Sequence, residues 1–251
     1  MLILCKFFLI FIMINDSLNK DPATKIKAAI FDLDGTLLDT QRLYDEANQI
    51  LINQYGNGKP YDAELQVKIH GTSPLFGNKF LIKHFDIKLT MEEFTGKKDQ
   101  YLKDRITQCK PMEGVKEITH ALKHKYNLKT AIATSSLKES ANIKLANHQE
   151  WIKSDFDIII TGEDKRIVKG KPSPDIFLLA MKELGVNPEE CIIFEDAING
   201  VQAGLNSGAA IVVGLPDSFV KDQMKKLYHD ESKTKLYVLD SFKDFDYSII
   251  K

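Results

Sequence analysis

The sequence predicts an α/β fold: a parallel sheet covered by helices on both faces, with a helical cap inserted near its start. Three observations predict it. Short, near-continuous apolar runs alternate with amphipathic helical patterns, the mark of strands buried on both faces. Residues 40–111 break that alternation with helical patterns and no convincing strand. Polar residues gather where the apolar runs end, which is the rim where open parallel sheets bind ligands.

Taken in order, residues 1–24 are expected to lie outside the fold. The opening "MLILCKFFLIFIMIN" is apolar, but Lys6 interrupts it and the run over 7–14 is too short to cross a bilayer. It has no charged segment ahead of the apolar run and no small-residue cleavage site, and Met13 offers a second start. Stable membrane insertion is therefore not expected, and a targeting or anchoring role is the alternative. Residues 27–31 read as the first strand, and 128–133, 156–160, 191–194 and 210–213 as the next four. A helix with Val115, Ile118, Leu122 and Tyr126 on one side precedes the second strand. Ile176, Phe177, Ala180, Met181 and Leu184 mark another, and a third covers 197–206 with Gly208 as its terminator. Within 40–111, Leu43, Tyr44, Ala47, Ile50 and Leu51 form one apolar face, and Leu75, Phe76, Phe80 and Phe85 suggest a second. "YGNGKP" and "HGTSP" supply turns. The expected organisation is a Rossmann-like three-layer core over 25–39 and 112–251, with a helical cap domain over 40–111.

Composition narrows the function. The 251 residues allow one large domain with an insertion, and 43% apolar with 27% charged residues is ordinary for a soluble protein. A formal net charge of −1 gives no basic field, so no nucleic-acid partner is expected. Cys5, Cys109 and Cys191 lie too far apart for metal-ligand spacing, and they suit a reducing compartment, here the cytoplasm. Nothing in the sequence sets the oligomeric state.

The chemistry lies at the predicted strand ends. In "AAIFDLDGTLLDT" the first strand runs into Asp32, Asp34 and Thr36 on alternate positions, which would share one face if the strand continued. Paired carboxylates on one face are costly unless a cation lies between them. The second strand runs into Thr134, Ser135 and Ser136, the third leads to Lys171 in "GKPSPD", and the fourth runs into Glu195 and Asp196. Asp32, Asp34 and Asp196 make a hard oxygen site suited to Mg²⁺ with a phosphate co-ligand. Thr134 and the amides of "TSS" suit phosphate oxygens at a helix N-terminus, and Lys171 adds a point charge. Asp32 is then placed to attack phosphorus, and Asp34 to exchange protons with the leaving oxygen and with water. Each piece alone has a plainer reading as a cap, turn or surface lysine. A calcium loop would need a third acid or amide before its glycine and a helix ahead of it. All four pieces in this order, each at a strand end, point to one site.

These residues resemble the haloacid dehalogenase-like hydrolases over the chain from about Lys25 to the C-terminus. "DLDGT" resembles that family's first motif, with Asp32 as nucleophile and Asp34 as acid/base. "ATSS" resembles the second with Thr134, "GKPSPDIF" the third with Lys171, and "FEDAINGVQAG" the fourth with Asp196 as metal ligand. The resemblance implies that Asp34 binds Mg²⁺ through its backbone carbonyl, with Glu195 beside the metal. Within the family, "LLDTQRLYDEAN", "PMEGVKEI", "ATSSLKES" and "CIIFEDAINGVQAG" are similar to the pseudouridine-5'-phosphatase-like branch. The β-phosphoglucomutase branch places a histidine where this chain has Tyr44 and an arginine where it has Pro74, which favours hydrolysis over transfer. The expected substrate is a small phosphorylated metabolite, with pseudouridine 5'-phosphate first and a sugar or polyol phosphate as alternative. Thr40, Tyr44, His70, Gly71 and Thr72 are candidates to face its leaving group, with Thr134, Ser135 and Lys171 on its phosphate. A phosphotransferase, or a non-catalytic protein that kept the fold, are the competing readings.

Overall fold

The computed structural model describes residues 25–70, 72–217, 220–227 and 233–250. Its strands are β1 (Ala28–Phe31), β2 (Lys129–Thr134), β3 (Ile158–Thr161), β4 (Cys191–Glu195), β5 (Ile211–Gly214) and β6 (Lys235–Val238). They form one parallel sheet in the order β3-β2-β1-β4-β5-β6. Five of them are the predicted strands with ends shifted by a residue or two, as such boundaries do. The sixth, "KLYV", is an addition to the prediction. It is a half-exposed edge strand starting at a lysine, without the apolar run that announces a central strand.

The side chains of β1 divide between two cores, as the period of two requires. Ala28 and Ile30 join Ile176, Phe177, Ala180 and Met181 of helix 175–184 and Val201 of helix 198–206. Ala29 and Phe31 join Val115, Ile118, Trp151, Phe242 and Phe245 on the other face. There Phe31 stacks on Phe194 with ring centroids 4.4 Å apart and meets the edge of Phe156 at 5.7 Å. Gly208 has φ +76° just beyond helix 198–206, the left-handed position of a helix terminator.

Between β1 and β2 lie α1 (Gln41–Tyr55), α2 (Ala63–Ile69), α3 (Pro74–His84) and α4 (Met91–Leu102), followed by α5 (Val115–His120), which continues into a π turn over Ala121–Lys125. Asp62, Ser73 and Thr90 cap α2, α3 and α4 through their side-chain oxygens, and Thr90 with Glu93 completes a capping box. This segment has an apolar cluster of its own, with Leu51, Ile52, Tyr61, Leu65, Leu81, Phe85 and Phe94. The outer half of α1 enters that cluster, while Leu43 and Ala47 pack on the sheet's core. Two predicted faces need correction. Ile50 is 43% exposed, and Leu75 and Phe76 are 68% and 54% exposed, so the second face is carried by Leu81 and Phe85, with Phe80 partly buried against them. The spacing of Leu75 and Phe76 suits burial, but they occupy the first turn of α3, where it leaves the cluster.

The remaining helices are α6 (Lys138–Leu145), α7 (Gln149–Asp155), α8 (Asp175–Leu184), α9 (Ile198–Asn206) and α10 (Lys221–Lys225). Among the described residues no helix is long and apolar enough to cross a membrane. The predicted extension over 1–24 lies outside the described residues. Phe85 is wholly buried, and Phe85→Ala is expected to cost about 3–5 kcal/mol locally. The loss should be read as faster amide exchange across α1–α4 while β1 and β4 keep their protection.

Candidate active site

β1 ends at Phe31 and the chain turns at once. The Leu37 and Leu38 amides both donate to the Leu33 carbonyl at 3.0 Å, and these three leucines are buried. Asp32, Asp34 and Thr36 therefore do not continue a strand face; the loop hands each to a different partner. Gly35 makes the loop possible, with φ +83° and a Cα so close to Asp196 that an added Cβ would lie 2.2 Å from its Oδ2.

Asp32 faces the ends of β4 and of the loop before α8. Carboxylate oxygens of Asp32, Glu195 and Asp196 lie within 4.8 Å of one another. The Lys171 ammonium donates to Asp32 Oδ1 at 2.5 Å, to Glu195 Oε1 at 2.6 Å and to the Ala133 carbonyl at 3.3 Å. Its three donors are thus engaged on the two acids and the Ala133 carbonyl. Thr36 Oγ1 donates to Asp196 Oδ1 at 2.7 Å, and the Ala197 amide ahead of α9 donates to Glu195 Oε2 at 3.0 Å. Gly200 leaves room for that glutamate: an added Cβ would sit 1.7 Å from Oε1.

Three carboxylates face one ammonium, and the imbalance shows in their protonation. Burial, joined by the charges of Glu195 and Asp34, pushes Asp32 up to about 7 despite the pull of Lys171. Burial, with Glu195 and Asp32 beside it, raises Asp196 well above the usual carboxylate range. Burial disfavours the Lys171 charge, but Asp32 and Glu195 outweigh it and hold the ammonium above its ordinary range. With all acids ionised the group carries two surplus negative charges on hard oxygen donors. That donor set fits a divalent cation.

Asp34 has a separate set of partners. Its Oδ1 accepts from Thr40 Oγ1 at 2.6 Å, its Oδ2 accepts from Ser136 Oγ at 2.7 Å, and the Lys144 ammonium straddles the two, 2.7 Å from Oδ1 and 2.8 Å from Oδ2. Burial raises the Asp34 carboxyl, but the Lys144 charge and the three hydrogen bonds prevail and hold it below the usual range. The Asp34 carboxylate is therefore outside the acid cluster, whose third member is Glu195.

A cavity of about 100 Å³ opens over Asp32 and Asp34 and is lined by Thr134, Ser135 and Ser136 from the β2 end. Tyr44, His70 and Thr72 line it from the helical segment. Lys171 and Asp196 are not among the lining residues. Thr134 Oγ1 accepts from the Ser136 amide at 3.1 Å, and α6 begins only at Lys138, so "TSS" is a tight turn rather than the first turn of a helix. His70 Nε2 lies 3.2 Å from Asp45 Oδ1, and its carbonyl accepts from Asn199 Nδ2 of α9 at 3.3 Å. Gly71 lies outside the described residues. Sequence reasoning missed Lys144, which is buried behind Asp34, and the lining residues Gln41, Asn48 and Lys98. Burial lowers the Lys98 ammonium to about 8, and it donates to Asn78 Oδ1 at 3.0 Å.

Comparison with known proteins supplies the family. The pattern of the haloacid dehalogenase-like hydrolases matches residues 26–208. The chain belongs to that family. It is 31% identical over 223 residues to a probable pseudouridine-5'-phosphatase of Drosophila melanogaster, covering 88% of this chain and 92% of the relative. It is 33% identical to a phosphorylated carbohydrates phosphatase of Thermotoga maritima over 77% of this chain and 87% of that one. Among solved structures, a HAD hydrolase (family IA, variant 3) of Entamoeba histolytica matches with TM-score 0.72 at 25% identity, covering 90% of this chain and 98% of the other. The reading of the chain as a phosphatase of this family holds.

The raised acids set a sign for stability against pH. A carboxyl whose folded-state pKa is raised stabilises the fold at low pH, and that contribution is lost as pH rises through the folded value. Without a cation the fold should lose stability from about pH 4 to about pH 7, the window between 3.8 and about 7 for Asp32. In EDTA at neutral pH, Asp196→Asn should melt above the unaltered chain, by about 2–4 °C for each kcal/mol of relieved repulsion. A divalent cation should raise the unaltered chain's Tm far more than the variant's.

Proposed function

We propose that this chain is a Mg²⁺-dependent phosphatase that hydrolyses a small hydroxylated phosphomonoester through an aspartyl-phosphate on Asp32. The observation that carries this reading is the placement of Asp32: it borders the cavity while Lys171, Glu195 and Asp196 stand behind it. A carboxylate so placed has an ammonium and the donor set for a cation on one side, and a substrate offered from the other. Asp32 and Asp196, with Glu195 beside them and, by family resemblance, the Asp34 backbone carbonyl, would hold Mg²⁺. When bound, the ion supplies positive charge against the carboxylates and the phosphate.

The chain's own residues do the rest. An oxygen of Asp32 attacks phosphorus, the ester P–O bond breaks, and the leaving oxygen takes the proton of Asp34. Water then attacks the aspartyl-phosphate and yields a proton to Asp34, the P–O bond to Asp32 breaks, and inorganic phosphate leaves. Asp34 is held ionised in the free protein, the form that accepts the proton from water; a phosphate dianion beside it favours its protonated form. Thr134 and Ser135, at the rim of the cavity, hold phosphate oxygens, and Lys171 keeps Asp32 in place from behind.

Residues 40–111 act as the cap, and Tyr44 with His70 and Thr72 faces the leaving group. The cap brings the polar side chains of Gln41, Asn48, His70, Thr72 and Lys98 to the cavity beside the apolar surface of Tyr44, Ile69 and Pro74. Asn48 Oδ1 is the one buried side-chain acceptor without a hydrogen-bond partner among the described residues, a place for a substrate hydroxyl. Pseudouridine 5'-phosphate, named for the Drosophila relative, is the first candidate. A sugar or polyol phosphate is the second, supported by the Thermotoga relative. Cys109 and Cys191 are buried free thiols, in keeping with a cytoplasmic setting.

Phosphate release measured across nucleotide, sugar and polyol monophosphates tests the reading. Hydrolysis should need Mg²⁺, stop in EDTA, and fall by at least about 10³-fold in Asp32→Asn. Unchanged turnover by that variant would remove Asp32 as nucleophile, and an isomerised ester without free phosphate would show a mutase.

A further inference from the structure

Lys144 lies on α6, eight positions after Ser136, and has no place in the four motifs. It is 1% exposed, yet its ammonium reaches out of the apolar face that Ala141 and Leu145 bury beside it. There it straddles the Asp34 carboxylate, 2.7 Å from Oδ1 and 5.0 Å from the centre of the Tyr44 ring, and it donates to Ser136 Oγ at 2.7 Å and to Asp34 Oδ2 at 2.8 Å. Ser136 in turn donates to the same Asp34 oxygen at 2.7 Å, so Lys144, Ser136 and Asp34 Oδ2 form a closed triangle. Thr40 holds the other oxygen at 2.6 Å.

Burying an ammonium to pair one acid is a poor way to gain stability, because desolvation offsets the attraction. Thr40 and Ser136 already satisfy the Asp34 carboxylate with neutral donors. What Lys144 adds is a fixed charge and a fixed direction, reaching Asp34 from the side of α6.

We propose that Lys144 is a positioning residue for Asp34, fixing the carboxyl group in the orientation from which it protonates the departing ester oxygen. This rests on the phosphatase reading above and adds to it a residue outside the motifs. During the first half-reaction the ester P–O bond breaks as the Asp32–phosphorus bond forms, and the proton passes from the Asp34 carboxyl to the leaving oxygen. A strongly basic alkoxide needs that proton to leave, whereas a nitrophenolate is stable enough to leave with little help. A mispositioned acid should therefore penalise alkyl esters selectively.

The test compares kcat/KM for glycerol phosphate, or the best alkyl ester of the panel, with that for p-nitrophenyl phosphate, in the unaltered chain and in Lys144→Met. kcat/KM reports the steps through ester cleavage and leaves aside the hydrolysis of aspartyl-phosphate common to both substrates. The ratio of alkyl to aryl kcat/KM should fall about 100-fold, the scale of a misplaced catalytic group. Ser136→Ala, which removes the hydroxyl shared by Lys144 and Asp34, should move the ratio in the same direction by less, and it carries the test should Lys144→Met fail to fold. A parallel loss on both esters would overturn the proposal and leave Lys144 structural. A KM rise common to both would overturn it in favour of direct phosphate binding, and an unchanged ratio would end it outright. An unaltered chain that releases phosphate from neither ester refutes the phosphatase reading itself, a result distinct from any of these.

Discussion

The structure depends on a charge imbalance at the carboxyl ends of β1 and β4. Asp32, Glu195 and Asp196 come together with a single ammonium, Lys171, between two of them. Such a group is unfavourable in a buried place unless it binds something positive or takes up protons. The fold supports it from several sides at once. Thr36 donates to Asp196, the amide ahead of α9 donates to Glu195, and Gly35 and Gly200 withhold the Cβ atoms that would collide with both acids. Neither glycine could become alanine without moving a carboxylate.

The two aspartates of the first motif are treated oppositely. Asp32 shares its lysine with Glu195 and is pushed up to about 7, while Asp34 has Lys144 and two hydroxyls and is held low. Environments that push two nearby acids apart assign them different roles. The tight turn after β1 produces the difference, since it directs the Asp32 side chain toward β4 and the Asp34 side chain toward α6. The sheet supplies the rigidity: β1 is wholly buried between β2 and β4, with Phe31 stacked on Phe194 immediately below the site.

Much of this was legible in the residues. Central strands buried on both faces leave unbroken apolar runs, so β1, β2, β4 and β5 could be read directly, and the polar residues at their ends marked the rim. The edge strand β6 has one covered side and begins with a lysine, so its pattern is weak. Leu75 and Phe76 have the spacing of a buried face, yet only tertiary packing decides which turn of α3 meets its neighbours. The alternation of Asp32, Asp34 and Thr36 suggested a strand face, but the paired amide contacts to the Leu33 carbonyl form a turn there. Lys144 was invisible for a general reason: a lysine on a polar helix is ordinarily solvated. The one signal was its position between Ala141 and Leu145 on the side that becomes buried.

The most direct test of the charge imbalance is the proton balance of cation binding. Titrating Mg²⁺ into the protein near pH 6, in buffers of different ionisation enthalpy, separates the heat of binding from the heat of protons released. Binding should expel protons, because Asp32 and Asp196 hold them in the cation-free state and must give them up to the ion. Binding with no proton release, or no binding at all, would contradict the account of the site.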